Sequence, residues 1–215
     1  MPYPAGYRIA TRKRIVESAR RSFNRHGFEN VSVKQIMAGA GLTHGAFYTY
    51  FKGKSDLYTE VLGCFFTDPD WKNRWDGVEV DLASSDAGAQ IVRAYLSRQH
   101  FDDVENSCPM VALPTDVRRS GRAVRGAFEA VFRAMVGALE SGIRGNRRAR
   151  SQRAQAIAAL CVGGLVVARA LRNDGAADEL REACMAVAVG LGGWNGHSSR
   201  GLRDPQLSAR RESQA

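Results

Sequence analysis

The sequence predicts an all-α fold of about nine helices: a three-helix head that holds a helix-turn-helix, followed by a larger helical body. Three observations lead there. Long alternating runs joined by Asn-Gly or Asp-Gly turns are absent, so strand signals are weak. Apolar residues recur at helical spacing along most of the chain. With 215 residues, 44% of them apolar and 25% charged, the composition is that of a globular chain of one large or two small domains.

The elements follow in order. Thr11 to His26 carries Ile15, Ala19, Ser22 and Phe23 on one face, and Gly27 suits the left-handed residue that ends a helix. Ser32 followed by Gln35 has the spacing of a capping box, so a second helix starts there. Gly39 and Gly41 end it. Thr43 is a candidate cap for a third helix running through Tyr50, and Lys52-Gly53-Lys54 breaks the chain again. A fourth helix begins at Asp56 with Leu57, Val61, Leu62 and Phe65. Thr67 to Ser85 is polar and reads as a loop, though Trp71 and Trp75 could share a short helix. The fifth helix spans Asp86 to Phe101. The sixth opens at Cys108-Pro109 and runs to Arg119, kinked or broken at Pro114 because proline lacks the N–H that a helix interior needs. The seventh (122–142), eighth (149–173) and ninth (177–191) each carry a continuous apolar stripe. Residues 193–215 are Gly-, Ser- and Arg-rich, the composition of a disordered tail.

Charge is uneven. The net charge is +9, and residues 1–60 hold ten basic and four acidic side chains, a local +6. A basic end is the electrostatic footprint of a polyanion-binding surface, nucleic acid first; the alternative is a solvated helix face. A second basic stretch, Arg144, Arg147, Arg148, Arg150 and Arg153, contains no acid and reads as a solvated loop, with contact to DNA or a partner as the alternative. Cys64, Cys108, Cys161 and Cys184 form no CxxC pair and have no His in helical register, so neither a metal site nor a cofactor is expected. The longest apolar run, Ala156 to Ala168, is shorter than the roughly 20 residues that span a bilayer. With no apolar segment after the basic N-terminus, a cytoplasmic protein with free thiols is expected. GxSxG, HExxH, P-loop and GxGxxG patterns are missing in suitable context, so catalysis is not expected.

The most informative stretch is Ser32 to Phe51. Two short helices around a Gly-containing turn form a helix-turn-helix, whose second helix enters the major groove. That helix needs small residues where backbone meets DNA, polar groups near the bases and an apolar inner face. Thr43, His44, Gly45 and Ala46 supply the first turn; Phe47 and Phe51 face inward; Tyr48, Thr49 and Tyr50 reach outward.

The run Ile36-Met37-Ala38-Gly39-Ala40-Gly41-Leu42-Thr43-His44-Gly45-Ala46-Phe47-Tyr48-Thr49-Tyr50-Phe51-Lys52-Gly53-Lys54-Ser55-Asp56-Leu57 resembles the signature of the TetR (tetracycline repressor) family. Met37 departs from it, standing where a small Ala is usual. The resemblance covers about residues 8–65 and implies a homodimeric transcriptional repressor with a helix-turn-helix domain over 1–54 and a ligand-binding and dimerisation domain over 55–192. By position it implies that Lys34 contacts the DNA backbone. Thr43, His44, Gly45 and Ala46 would face bases or nearby phosphates. Tyr48 and Tyr50 would bond phosphates with Thr49 between them, and Lys54 would hold a phosphate at a helix N-terminus. The implied partners are a palindromic double-stranded DNA operator, a second copy through the eighth and ninth helices, and a small-molecule effector of unreadable chemistry.

For the body the resemblance is looser. Ser107 to Leu113 looks like the family's sixth helix and Val162 to Ala170 like its eighth. Gly163 and Gly164 permit close approach of helices, either across the dimer or only within one chain. A ligand pocket is implied among Phe66, Tyr95, Phe101, Met110, Leu113, Phe128, Phe132 and Met135, although such residues at helical spacing also serve as plain core. Cys108 precedes a helix, where a thiol pKa falls. A thiol-reactive redox or electrophile sensor is therefore the alternative function, against the commoner inert buried cysteine.

Overall fold

The computed structural model describes residues 5–64, 79–112 and 114–194. Among them lie ten α-helices, one 3-10 helix and no strand. The head comprises α1 (Ala5–His26), α2 (Val33–Gly39), the 3-10 helix η1 (His44–Thr49) and the start of α3 (Lys54–Cys64). The body comprises α4 (Ala87–Tyr95), α5 (Arg98–Asp102), α6 (Pro109–Ala112), α7 (Pro114–Arg119), α8 (Arg122–Glu140), α9 (Arg147–Ala170) and α10 (Asp174–Gly192). The eighth and ninth helices of the sequence reading are α9 and α10.

Two buried clusters organise these elements. The head core gathers Ile15, Phe23, Phe28, Ile36, Met37, Phe47, Phe51, Leu57, Tyr58 and Leu62, and also takes in Val117 of α7 and Val124 of α8. Phe23, Phe28 and Tyr58 form its aromatic centre, with Phe28 and Tyr58 stacked at 4.5 Å. Met37, the departure from the family pattern, is fully buried here. The body core runs from α4 through α8 and α9 to α10, and Phe128 packs against both clusters. The head core therefore reaches past the expected boundary at residue 54.

Polar contacts also tie head to body. Asn24 Nδ2 donates to the carbonyls of Glu105 (3.0 Å) and Ser107 (2.9 Å), and Arg20 Nη2 donates to Asn106 Oδ1 (2.8 Å). Asp116 accepts the Phe28 amide (2.8 Å) just after Gly27, which has the expected left-handed φ of 78°. From the 103–107 loop the bonds continue to α9. Arg169 donates to the carbonyls of His100 and Phe101 and to Ser107 Oγ (3.0 Å). His100 is buried with Nδ1 donating to the Tyr95 carbonyl (2.6 Å), and Nε2 accepts the Cys108 amide (3.3 Å) and faces Ser107 Oγ (2.8 Å). A hydrogen-bonded path thus joins α1 to α9.

Two features depart from the sequence reading. The expected fifth helix, 86–101, is split: Ser97 Oγ donates to the Ala94 carbonyl (2.8 Å) and accepts the His100 amide (3.1 Å), ending α4 and capping α5. Such local side-chain bonds compete with helix continuation. The element after Cys108 is described as α6 up to Ala112 and as α7 from Pro114, and the expected break between them falls at residue 113, outside the described residues. At the C-terminal end, order persists past residue 193. Gly193 (φ 73°) caps α10, and Trp194 is only 3% exposed, folded onto Gly88 and Gly192. A Cβ on either glycine would come within 2.1–2.2 Å of the indole. The remainder of the expected tail, like Phe65, Phe66, Trp71, Trp75 and Leu113, lies outside the described residues.

By length and composition α9 could cross a bilayer. One face of it, with Ile157, Cys161, Leu165 and Ala168, is instead packed in the body core.

Ion pairs brace the junction of α5 and α10. Arg98 pairs with Asp102 (2.9 Å) and Asp178 (3.2 Å), and buried Arg181 bonds Asp178 and the Leu96 carbonyl (2.5 Å). The Arg181 hydrogen bond holds the Asp178 carboxyl below its usual range. Ser84 does the same for Asp86. Burial would raise Glu17, but Arg20 and Arg21 together outweigh it and lower it. A carboxyl depressed on folding adds stability above its unfolded pKa and loses it as pH falls through the folded value. The expected result is a melting temperature nearly flat from about pH 7 to 5 and falling below about pH 4. Thermal melts of the protein and of Asp178→Asn check this; the variant's acid limb should be shallower.

Candidate nucleic-acid interface

The reading element is built outward from the head core. Ser32 starts α2 with a complete capping box, its Oγ accepting the Gln35 amide (3.2 Å) and its own amide donating to Gln35 Oε1 (2.8 Å). α1 then clamps the end of α2. Ser18 Oγ donates to the Ile36 carbonyl (2.8 Å), and Arg14 Nη2 to the Ala40 carbonyl (2.5 Å). Gly39 lies so close to α1 that a Cβ would sit 2.5 Å from Ser18 Oγ. Gly41 turns the chain at φ 67°.

The third element is a 3-10 helix where an α-helix was expected, and Thr43 makes no side-chain cap. The run is short. Its inner side is fixed by Phe47 and Phe51, at 0% and 2% exposure, stacked 5.7 Å apart. Anchoring those two rings in the head core fixes which side of the short 3-10 run faces inward. The outer side presents Thr43, His44, Gly45, Tyr48 and Thr49 to solvent, with the His44 and Tyr48 rings edge to face at 6.0 Å. Tyr48 is 65% exposed, a large apolar ring left uncovered. Lys34 is exposed at the start of α2, while Ala46 and Tyr50 are half-buried. Seven of the nine expected DNA-binding residues thus line the turn and 3-10 helix around one exposed strip, flanked by Lys34 and Lys54.

Lys54 also has a structural role that its sequence position did not show. Its Nζ donates to the carbonyls of Phe28 (2.7 Å) and Val31 (3.1 Å) and sits 4.3 Å from the Phe28 ring centroid. An ammonium has three N–H bonds, so one donor remains after these two. Lys54 is first a strut that closes the α1–α2 loop against α3.

Sequence reasoning counted Arg12 only as charge, yet it is the brace of the interface. Its Nη1 donates to the Tyr50 carbonyl, its Nε to Glu60 (2.9 Å), and its guanidinium lies 4.2 Å over Phe51. It ties α1, the end of η1 and α3 together. Arg14 and Ser18 were missed likewise, since nothing in their local spacing marks them. An open cleft of about 840 Å³ runs between α1 and the turn at 39–41, lined in part by Lys13, Arg14, Arg20 and Arg21.

The sequence model described as "Bacterial regulatory proteins, tetR family" matches residues 15–61, the whole of this arrangement. The likeness to the TetR family in sequence lies in the head. The HTH-type transcriptional regulator AcrR of Shigella flexneri is 43% identical over 51 residues, 24% of each chain. The chain therefore spans about a quarter of the length of the curated relatives it matches. Beyond the head the likeness is one of fold. The reduced form of NemR from E. coli superposes with a TM-score of 0.65 at 18% identity, over 83% of this chain and 95% of that one. FadR of Bacillus subtilis, solved in complex with stearoyl-CoA, gives 0.58 at 15% identity, over 82% and 97%. The all-α TetR fold, with head and body, is thus established.

In the body, the described members of the expected pocket are core residues. Met110 and Met135 are fully buried, Tyr95 is 6% exposed, and Phe101, Phe128 and Phe132 pack partly buried against the same cluster. Cys108 is fully buried beside the Tyr95 hydroxyl, whose own pKa burial pushes up. Burial likewise raises the Cys161 thiol. Gly164 packs within the chain, where a Cβ would meet Cys184 Sγ at 2.9 Å; Gly163 has open space beside it. Thiols react as exposed thiolates. In native protein Cys108 and Cys161 should resist a disulfide reagent, and Cys64 and Cys184, both partly exposed, should react first. Titration before and after denaturation reads this. Fast modification of Cys108 in the native state would restore the thiol-sensor reading.

Proposed function

We propose that the chain is a transcriptional regulator that binds a palindromic operator as a homodimer, and a repressor that a small-molecule effector releases. The observation that carries the reading is the exposed His44–Tyr48–Thr49 strip mounted on the buried Phe47–Phe51 pair. Uncovered polar and aromatic groups on a rigid apolar anchor suit base and phosphate contact, with phosphates setting register and His44 reading sequence. Lys34 and the remaining Lys54 donor would flank it on the phosphate backbone. Residues 1–54 would serve as the DNA-binding unit and 55–192 as the sensing and dimerising unit.

The dimer is proposed through the outer faces of α9 and α10. Ala159, Gly163, Val166, Val167 and Ala170 on α9, with Ala183, Val187 and Leu191 on α10, are exposed at helical spacing. A contiguous apolar face of this kind favours a partner, and a two-fold pair uses the same patch twice. It would set two heads about one DNA turn (~34–36 Å) or a multiple apart. Effector binding is proposed in the body among Tyr95, Phe101, Phe128 and their neighbours, by analogy with the fold neighbour that holds stearoyl-CoA. A ligand releases the operator only by differing in affinity for two head spacings, and the path from Asn24 through Ser107 to Arg169 is a physical route for that coupling.

The test is fluorescence anisotropy with DNA from upstream of the chain's own gene, across salt. Expected are binding that weakens steeply with salt, a palindromic footprint, and at least about a tenfold loss in Tyr48→Ala. Absence of specific binding there and in selection from random duplexes would overturn the proposal.

A further inference from the structure

A second basic surface lies at the end of the body away from the head. Arg144, Arg147, Arg148, Arg150 and Arg153 fall in the α8–α9 turn and the first turns of α9, and the sequence holds no acid between Glu140 and Asp174. α8 fixes their place. It starts in the head core at Val124 and runs to Leu139 and Ile143 in the body core, where Gly142 packs against Ser85 and Trp194. Arg153 is committed to the carbonyls of Ala149 (3.4 Å), Leu191 (3.5 Å) and Arg144. The other four form no ion pair among the described residues, and Arg144, Arg147 and Arg148 are exposed. Arg150 Nε is buried without a hydrogen-bond partner.

This arrangement works against folding. Three arginines crowd the first turn of a 24-residue helix that has no acid there, against the positive end of its dipole. Next to them in sequence lie Ser141, Gly142, Gly145, Asn146, Ala149, Ser151 and Gln152, and Ile143 is 3% exposed. Arginine forks, small polar side chains and free helix-end amides are the groups that hold nucleic-acid phosphates. Between residues 141 and 152 no large apolar side chain is exposed, of the kind that a membrane-surface helix inserts or that the core of a protein interface buries.

We infer that the Arg144–Arg150 surface binds the phosphate backbone of a second DNA duplex without regard to sequence. The chain would hold one duplex at its head and another at the far end of its body. This goes beyond single-operator binding, and its test separates the two.

Beads carrying duplex DNA from upstream of the gene are loaded with the full-length protein at about 50 mM salt, and a labelled duplex of unrelated sequence is added. Wild-type protein should retain the labelled duplex and release it near 200 mM salt. Arg147→Glu/Arg148→Glu should lower retention at least about tenfold while binding the bead duplex within about twofold. Its melting temperature should not fall, since the substitutions suit the helix dipole, and this excludes misfolding. Equal retention by the variant, or none by wild type, overturns the inference. So does capture of phosphatidylglycerol vesicles in place of the duplex. If wild type fails to bind the bead duplex and selection from random duplexes also finds no site, the head reading has failed. The distal surface is then read from free-duplex binding by Tyr48→Ala with and without the double reversal, where equal binding overturns the inference.

Discussion

Trp194→Ala is expected to lower the melting temperature by roughly 10 °C. Emptying a buried tryptophan site costs about 3–5 kcal/mol, and each kcal/mol shifts a domain of this size by about 2–4 °C. The indole lies 3% exposed over Gly88 and Gly192 and closes the end of the body where α4, α8 and α10 meet. A companion substitution makes the test sharper. Gly88 is in the first turn of α4, where Ala would ordinarily stabilise a helix by up to about 1 kcal/mol. Here the added Cβ would lie 2.1 Å from Trp194 Cζ2. Gly88→Ala should therefore destabilise, and in the Trp194→Ala background its sign should reverse, a coupling that a double-mutant cycle of thermal melts reads directly. Additive effects would mean that the indole does not rest there.

Arg12→Ala is expected to weaken DNA binding at least about tenfold while lowering stability by only about 1–2 kcal/mol. Its guanidinium is part exposed, so the Glu60 ion pair is weak in water. Its geometric role is larger: it holds the Tyr50 carbonyl and covers Phe51, and so fixes the end of η1. Losing that brace lets the Tyr48 and Thr49 side chains drift, and small misplacements cost contacts that depend on register. Anisotropy and melting of Arg12→Ala beside Arg21→Ala check it. Arg21 is exposed and makes only an i,i+4 pair with Glu17, so its loss should change neither quantity much. Equal effects of the two variants would reduce Arg12 to general charge.

The helices and the reading strip were legible because local rules govern them. Ser32 and Gln35 met as a capping box, Gly27 took the left-handed turn, and Phe47 and Phe51 faced inward at the spacing their positions implied. What stayed illegible depends on distant partners. Lys54 looks like a free cation until Phe28 and Val31 bring two carbonyls to it. Ser97 looks like any polar helix residue until its hydroxyl takes up the turn on either side. Gly164 and Gly163 are indistinguishable in sequence, and only the fold shows that one meets Cys184 and the other open space. Trp194 was hidden by its glycine neighbours, which resemble a tail and serve as a cradle.

The shared core bears on how such proteins can be recombined. Val117 and Val124 lie in the body by chain position but pack under the head with Leu57 and Tyr58. A chimera that grafts these first 54 residues onto another helical body would leave that hydrophobic seam mismatched. It should express poorly unless α3 and the residues at 117 and 124 travel with the graft. Changing the specificity of this scaffold is therefore better done by exchanging the solvent-facing letters of one short helix than by exchanging whole modules.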